Sequence, residues 1–410
     1  MTDATGRSFL SYRRTRIEEA RLLIEAQHDV GIPTWHDVSE FEEGQTESLL
    51  RDALADPTTA NAVCWLTPEV EASAVITRTE LPGILRRIRA GDGFFMIPVA
   101  AGGVDYPDVT RIAGTYLGMH DLGGWNLRKV VSDPIGPADA AIIARQVLGR
   151  RIRTVVAQLA ADAPLRLVIN TQKKPAFASG VALARDWTHR FDGRLTHRPE
   201  SWQEQLIPAL ETVAQAITER APGRRIVAEG LCALPTAVAF GTAFLATRGM
   251  SVGWRQISPN REPELWSLGM RPEPCGFVYQ VGDGDPSADD LALPVSVASN
   301  VEPAFAASRP NLPKMRAIVV VHCVGAYPHD LATAGQARDL VRIIVEALRY
   351  ARDQYQPRGT LHLFLAVPAG LAMLIGQMLN TFGPVQAVSG RCSRFLPCVF
   401  ARSGLLTHLK

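Results

Sequence analysis

At 410 residues the chain exceeds what one hydrophobic core comfortably serves, so two or three domains are expected. An apolar content of 47% against 20% charged residues excludes a disordered chain. A net charge of +2 excludes bulk attraction to DNA or to an acidic membrane, so any anionic ligand has to be met by a local cluster of groups.

The six cysteines, Cys64, Cys232, Cys275, Cys323, Cys392 and Cys398, form no paired CxxC motifs, and several sit in apolar runs. Buried, reduced thiols in a cytoplasmic protein are the expectation, with no metal site. Met1–Arg7 is polar with no apolar segment behind it, and the apolar stretches further on are short or interrupted. Neither a signal peptide nor a membrane span is read from this pattern.

The first ~145 residues alternate between two periodicities. Ser8–Ser11 is β-prone, residues 15–27 place Ile17, Ala20, Leu23 and Ile24 at helical spacing, and Gly31 precedes a second strand at Ile32–Trp35. Asn61–Thr67 (NAVCWLT) and Phe94–Val99 (FFMIPV) are continuous apolar runs, as strands buried on both faces require. Residues 136–159 read as a helix leading to a hinge at Asp162–Pro164. Further buried-strand patterns follow at Leu165–Asn170, Arg225–Ala228, Ala317–His322 and Leu361–Val367. The Gly-rich Val281–Asp285 reads as a loop, and the Pro-, Ser- and Asp-rich stretch Asp283–Pro313 divides this half again. The two resulting parts form a weak repeat. RIVAEG leads through Leu234–Pro235 into an Ala-rich helix containing Gly241, and LFLAV leads through Val367–Pro368 into a helix containing Gly376. In the second of these helices Leu371, Leu374, Ile375, Met378 and Leu379 mark a single buried face. The fold class is therefore α/β, with parallel sheets covered by helices.

No phosphate-binding GxxxxGK[ST] loop, GxSxG elbow or HExxH pair is present. What is present, in order over residues 6–145, is FLSYRR from Phe9, IPTWHDVSEFEEG from Ile32, WLTP from Trp65 and the Ile97–Pro98 pair. Together these resemble the strand signatures of TIR domains, and most closely those of the catalytic, NAD⁺-cleaving kind. The resemblance implies a flavodoxin-like parallel sheet and an NAD⁺ glycohydrolase that uses NAD⁺ as substrate, with no cofactor. The catalytic carboxylate of those enzymes falls on Glu80, in VITRTEL. The Trp that usually precedes it by four residues is Ile76 here, and Ser73 lies seven residues upstream where six is commoner. Glu69 and Glu71, within the preceding loop, remain alternatives. Nicotinamide leaves without needing protonation, so one carboxylate beside the ribose suffices to stabilise the oxocarbenium-like transition state. The same resemblance makes Tyr12, Arg13, Trp35, Asp37, Phe41, Gly44 and Ser73 candidate substrate contacts. Trp35 or Phe41 would stack on a ring and Arg13 would face the diphosphate. Read from residue type alone, Glu80 is also an ordinary acidic group in a helix's first turn, and Trp35 an ordinary core residue.

Residues from about 160 to the end resemble the SAVED domain, a pair of Rossmann-like (CARF-like) halves that binds cyclic oligonucleotides in antiphage CBASS-type systems. Leu165–Asn170, Ala228–Gly241 and above all LHLFLAVPAGLAMLIGQMLNTFGP, at Leu361–Pro384, carry that likeness. Ligands of parallel sheets sit beyond the strands' carboxyl ends, near helix N-termini. The corresponding candidates are Thr171, Lys173, Lys174, Arg255, His322, Pro368 and Arg391, with Arg255 and Arg391 taken to follow strands. The organisation expected is a TIR domain at 1–145, a connecting helix and linker at 146–163, and a SAVED domain at 164–410 with lobes at about 164–285 and 310–410. The function expected is an antiviral effector. A cyclic oligonucleotide, cyclic triadenylate first, would drive self-association into an oligomer or filament and so switch on NAD⁺ cleavage. A non-enzymatic TIR scaffold that recruits a partner is the rival reading.

Overall fold

The computed structural model describes residues 1–35, 46–118, 127–193, 195–245, 249–258, 261–325, 327, 330–391 and 394–401, with side chains left out at 46, 117 and 389–401. It divides into two compact units: Met1–Val168, Pro175–Asp186 and Glu219–Ala221 in the first, and Ile169–Lys174, Trp187–Thr218 and Pro222–Lys410 in the second.

In the first unit β1 (Arg7–Ser11), α1 (Ile17–Asp29), β2 (Thr34–Trp35), α2 (Thr46–Ala55), β3 (Thr59–Leu66), α3 (Leu81–Arg89), β4 (Phe95–Ala100), α4 (Tyr106–Ile112), β5 (Arg128–Lys129) and α5 (Pro137–Gln158) follow one another. The sheet order is β2-β1-β3-β4-β5, and every pairing is parallel. All eight residues of β3 are buried, which explains why its sequence is a continuous apolar run rather than an alternating one. Phe9, Cys64, Leu66, Ile76, Leu81 and Ile84 share one core beneath α2 and α3. Helix α5 opens on Pro137 at its first position and buries Ala140, Ile143, Ala144, Val147, Leu148, Ile152 and Val155 along one stripe. Arg151, in the same stripe, is fully buried. It donates to the carbonyls of Ala182 (2.9 Å), Gly6 (2.6 Å) and Thr5 (2.5 Å), tying the chain's start to the helix. Burial pulls its guanidinium down to about 10, with Asp3 opposing the shift.

The remaining elements are β6 (Leu165–Asn170), β7 (Leu183–Asp186), the small pair β8 (Phe191–Asp192) and β9 (Leu195–Thr196), α6 (Ile207–Arg220), β10 (Ile226–Glu229), α7 (Leu234–Ala243), β11 (Val252–Gln256), β12 (Glu264–Ser267), β13 (Phe277–Asp283), β14 (Asp290–Ser296), α8 (Glu302–Ser308), β15 (Met315–Cys323), α9 (Ala334–Tyr355), β16 (Leu361–Ala366), α10 (Ala369–Met378), β17 (Val385–Arg391) and β18 (Arg394–Ala401). One sheet has the order β12-β11-β10-β6-β7, and the division between the units falls within β6. A second, six-stranded sheet runs β13-β15-β14-β16-β17-β18, parallel across β15-β14-β16-β17 and antiparallel at its edges.

Two sequence expectations are corrected here. The stretch Asp283–Pro313 contains β14, a buried strand paired on both sides and central to the sheet. Pro294 lies inside it, and a proline in a strand interior removes a ladder donor and reads as a breaker. Val281–Asp283, read as part of a loop, ends the edge strand β13. An edge strand pairs on one side only, so a glycine such as Gly282 is tolerated there.

The two repeated helices meet. A Cβ on Gly241 of α7 would lie 2.1 Å from the Met373 carbonyl oxygen of α10, and one on Gly376 would lie 2.3 Å from the Val238 carbonyl oxygen of α7. Each glycine is therefore the only residue type that permits the other helix's backbone to approach. Gly241→Val is expected to lower the stability of the second unit by about 3 kcal/mol, since the backbone it strikes cannot rotate away. Urea unfolding followed by tryptophan fluorescence measures this, and an unchanged midpoint would mean that the helices separate freely.

Candidate functional site

Glu80 ends a single π-helical turn, Ile76–Glu80, that leads directly into α3. Ser73 starts this segment, its Oγ accepting from the Ile76 backbone N–H (3.4 Å) and its carbonyl from the Thr77 hydroxyl (2.8 Å). The Glu80 side chain is buried, and its Oε2 accepts from Ser11 Oγ at 2.5 Å. Ser11 is the last residue of β1, whereas Glu80 comes from the segment after β3. The carboxylate thus stands at the carboxyl edge of the sheet, where β1 and β3 are neighbours and the strand order reverses. That crevice is where open parallel sheets hold ligands. Burial and the Glu80 carboxylate together push the Cys64 thiol far up, so it stays protonated and is no rival nucleophile.

Trp35, at the end of β2, stacks on Phe9 with ring centroids 5.2 Å apart and planes 16° from parallel, and remains half-buried. Tyr12 and Arg13 are half-buried beyond the end of β1, and Arg13 Nε is buried without a hydrogen-bond partner. Asp37, Phe41 and Gly44 lie outside the described residues. The alternative carboxylates are engaged elsewhere. Glu69 accepts from Arg16 Nη2 at 3.1 Å, and both oxygens of Glu71 accept from Arg111 Nη1 at 2.6 Å. Arg16 also binds Asp133 (2.6 Å) and Glu19 (3.1 Å), fastening the loops that follow β1, β3 and β5 to one another. Ser11 is the residue that sequence reasoning missed. Its signal was its place as the last residue of a strand whose neighbours were already candidates.

A cavity of about 730 Å³ lies elsewhere in the first unit, between α5 and β4, with Phe95, Ile97, Arg128, Arg145, Arg150 and Arg153 in its lining. No predicted site residue lines it.

In the second unit the carboxyl edge of the β10–β11 pair gathers several predicted residues. Thr171 is buried, and its Oγ1 accepts from the Ala233 N–H (2.9 Å) at the start of α7, so it fixes a loop rather than offering its hydroxyl outward. Lys173 and Lys174 follow it and are exposed. Arg255 lies within β11, not after it, and pairs with Glu229 of β10 at 3.5 Å. The next residue, Gln256, accepts from the Gly370 N–H (3.1 Å) in the first turn of α10, whose N-cap is Pro368. Gln256 is thus a neighbour of the candidate site that sequence reading left out. It sits at a strand end, which is the signal that marks it. His322 lies near the end of β15, with its Nδ1 buried and without a hydrogen-bond partner. Arg391 ends β17, so it too lies within a strand, and its side chain is outside the described residues. Among the described residues no group of three or more His, Cys, Asp or Glu side chains could hold a metal, and no helix is long and apolar enough to cross a membrane. Cys64, Cys232, Cys275 and Cys323 are buried.

Residues 209–387, almost all in the second unit, match the SAVED family model, described as SMODS-associated and fused to various effectors sensor domain. A SAVED-type sensor region is present. Among solved structures the chain is similar to an Acinetobacter baumannii Cap4 SAVED/CARF-domain containing receptor with the cyclic trinucleotide 3′3′3′-cAAA. That likeness has 14% identity and a TM-score of 0.49, over 88% of this chain and 86% of that one. The same receptor with 2′3′3′-cAAA aligns over the same shares, with 13% identity and a TM-score of 0.49. The Moraxella osloensis Cap4 receptor aligns over 95% of this chain and all of its own, with 11% identity and a TM-score of 0.44. No curated protein matches the chain.

Proposed function

We propose that the chain is a cytoplasmic antiviral effector in which a cyclic oligonucleotide, bound at the SAVED region, activates NAD⁺ cleavage by an N-terminal TIR domain. The single observation that carries the catalytic half is the buried Ser11–Glu80 pair at the carboxyl edge of a parallel sheet. The strand order 2-1-3-4-5 is that of flavodoxin-like sheets, which bind ligands at the β1/β3 switch point. A carboxylate fixed there by a strand-end serine is placed to face a ribose and to stabilise positive charge as the nicotinamide bond lengthens. Nicotinamide and an ADP-ribose product result. The sensor half rests on the family match at residues 209–387 and on the basic, helix-N-terminal edge formed by Lys173, Lys174, Arg255 and the start of α10.

Ligand and catalysis are coupled through association: each copy completes the pocket of the next, so binding acts by promoting assembly. Specific activity at saturating activator is therefore expected to fall steeply over a hundredfold dilution of the protein. A flat profile would mean a self-contained site in each monomer. Calorimetry against a panel of cyclic di-, tri- and tetranucleotides tests the sensor directly, with 3′3′3′-cAAA as the first ligand to try.

A further inference from the structure

We propose that Leu231 and Ile257 form an apolar platform for the nucleobase faces of the ligand held at the carboxyl edge of β10 and β11. The inference rests on the sensor reading above and assigns the part of that site which meets the bases. Both side chains are large and apolar, yet they stand 53% and 65% exposed. Single exposed apolar residues are common and call for no explanation. These two are different in placement. Parallel register aligns Ala228 with Trp254, so Leu231 and Ile257 lie the same three positions beyond an aligned pair. Both therefore leave the sheet at the same edge, from the carboxyl ends of neighbouring parallel strands. The Arg255–Glu229 ion pair joins the same two strands near that edge.

Neither residue is exposed because its backbone is loose. The Leu231 N–H donates to Asn170 Oδ1 (2.8 Å), and its carbonyl accepts from the Thr171 N–H (3.1 Å). Gly230 before it adopts φ +144°, and a Cβ there would strike the Ile169 carbonyl at 2.1 Å. The Ile257 carbonyl accepts from Gln256 Nε2 (2.8 Å), the same side chain whose Oε1 holds the first turn of α10. Two anchored apolar side chains therefore flank the starts of α7 and α10, beside the loop that carries Lys173 and Lys174. An occupant with negative charge and flat apolar faces fits this combination. The helix starts and basic groups take the phosphates, and the aliphatic side chains take base faces. Recognition through area favours purines, which cover more apolar surface than pyrimidines.

The test uses the full-length protein and calorimetric titration with 3′3′3′-cAAA. Leu231→Ala and Ile257→Ala are each expected to weaken binding about tenfold, as loss of one well-covered aliphatic side chain would. Leu231→Met, which keeps the apolar area, is expected to stay within about threefold of wild type. Thermal melting should barely move in any variant, because exposed side chains contribute little to stability. Wild-type binding with a Leu231→Ala/Ile257→Ala double variant within twofold of it overturns the platform and leaves the sensor reading standing. A change in self-association without a change in affinity also overturns it, by showing that the pair faces another protein. Failure of the wild-type chain to bind any cyclic nucleotide of the panel removes the sensor reading and the platform with it.

Discussion

Glu80→Gln is expected to lower nicotinamide release from NAD⁺ by two to three decades while the fold and the ligand affinity stay as they are. The substitution keeps shape and keeps an oxygen that can accept from Ser11 Oγ, which donates to Glu80 Oε2 at 2.5 Å. On the proposed mechanism, what it removes is the negative charge that would face an oxocarbenium-like transition state. Loss of such a preorganised electrostatic contact costs about 3–4 kcal/mol. Charge substitution at a buried position ordinarily threatens stability as well, so the melting curve belongs to the measurement. A variant that melts like wild type and retains more than about a tenth of its rate would show that the catalytic carboxylate is another one. Glu71 is a poor substitute, since both its oxygens are held by Arg111 at 2.6 Å.

The second large effect is expected at the sensor. Lys173 and Lys174 are exposed directly after the segment in which Thr171 grips the start of α7. Replacing both with Ala should remove two charge-assisted hydrogen bonds to phosphate, each worth about 1.5–3 kcal/mol. Affinity for a cyclic trinucleotide is then expected to fall by roughly two to four decades, and the activator needed for half-maximal NAD⁺ cleavage to rise in step. The near-neutral net charge of the chain makes this a local effect rather than a loss of general attraction. Calorimetry that finds the double variant unchanged would move phosphate recognition to Arg255 and the start of α10.

Much of the framework was legible because it obeys one-dimensional rules. β3 and β4 are buried on both faces and appear as unbroken apolar runs, and α5 shows its stripe and its opening proline. The glycines of the two similar helices were visible as a repeat, but their reason was not: each exists to admit the other helix's backbone. β14 escaped because Pro294 sits inside it and polar, loop-forming residues surround it. Tertiary pairing with β15 and β16 overrode that local signal. The position of Glu80 came from resemblance, while its partner Ser11, 69 residues away, follows only from strand order. Likewise the Arg255–Glu229 pair and the Gln256 contact with α10 depend on β10 and β11 being neighbours, which no local pattern states.

The central claim is that a ligand at the SAVED region switches on cleavage of NAD⁺ in the N-terminal unit. Nicotinamide release is the most direct measure of it, followed for the purified chain with NAD⁺ alone and with NAD⁺ plus 3′3′3′-cAAA or another cyclic nucleotide that calorimetry shows to bind. The account predicts little release without the cyclic nucleotide, rapid release with it, and none above background when Glu80→Gln replaces the wild type. Tight binding of the cyclic nucleotide with NAD⁺ left intact would contradict it, and would make the N-terminal unit a scaffold that recruits a partner.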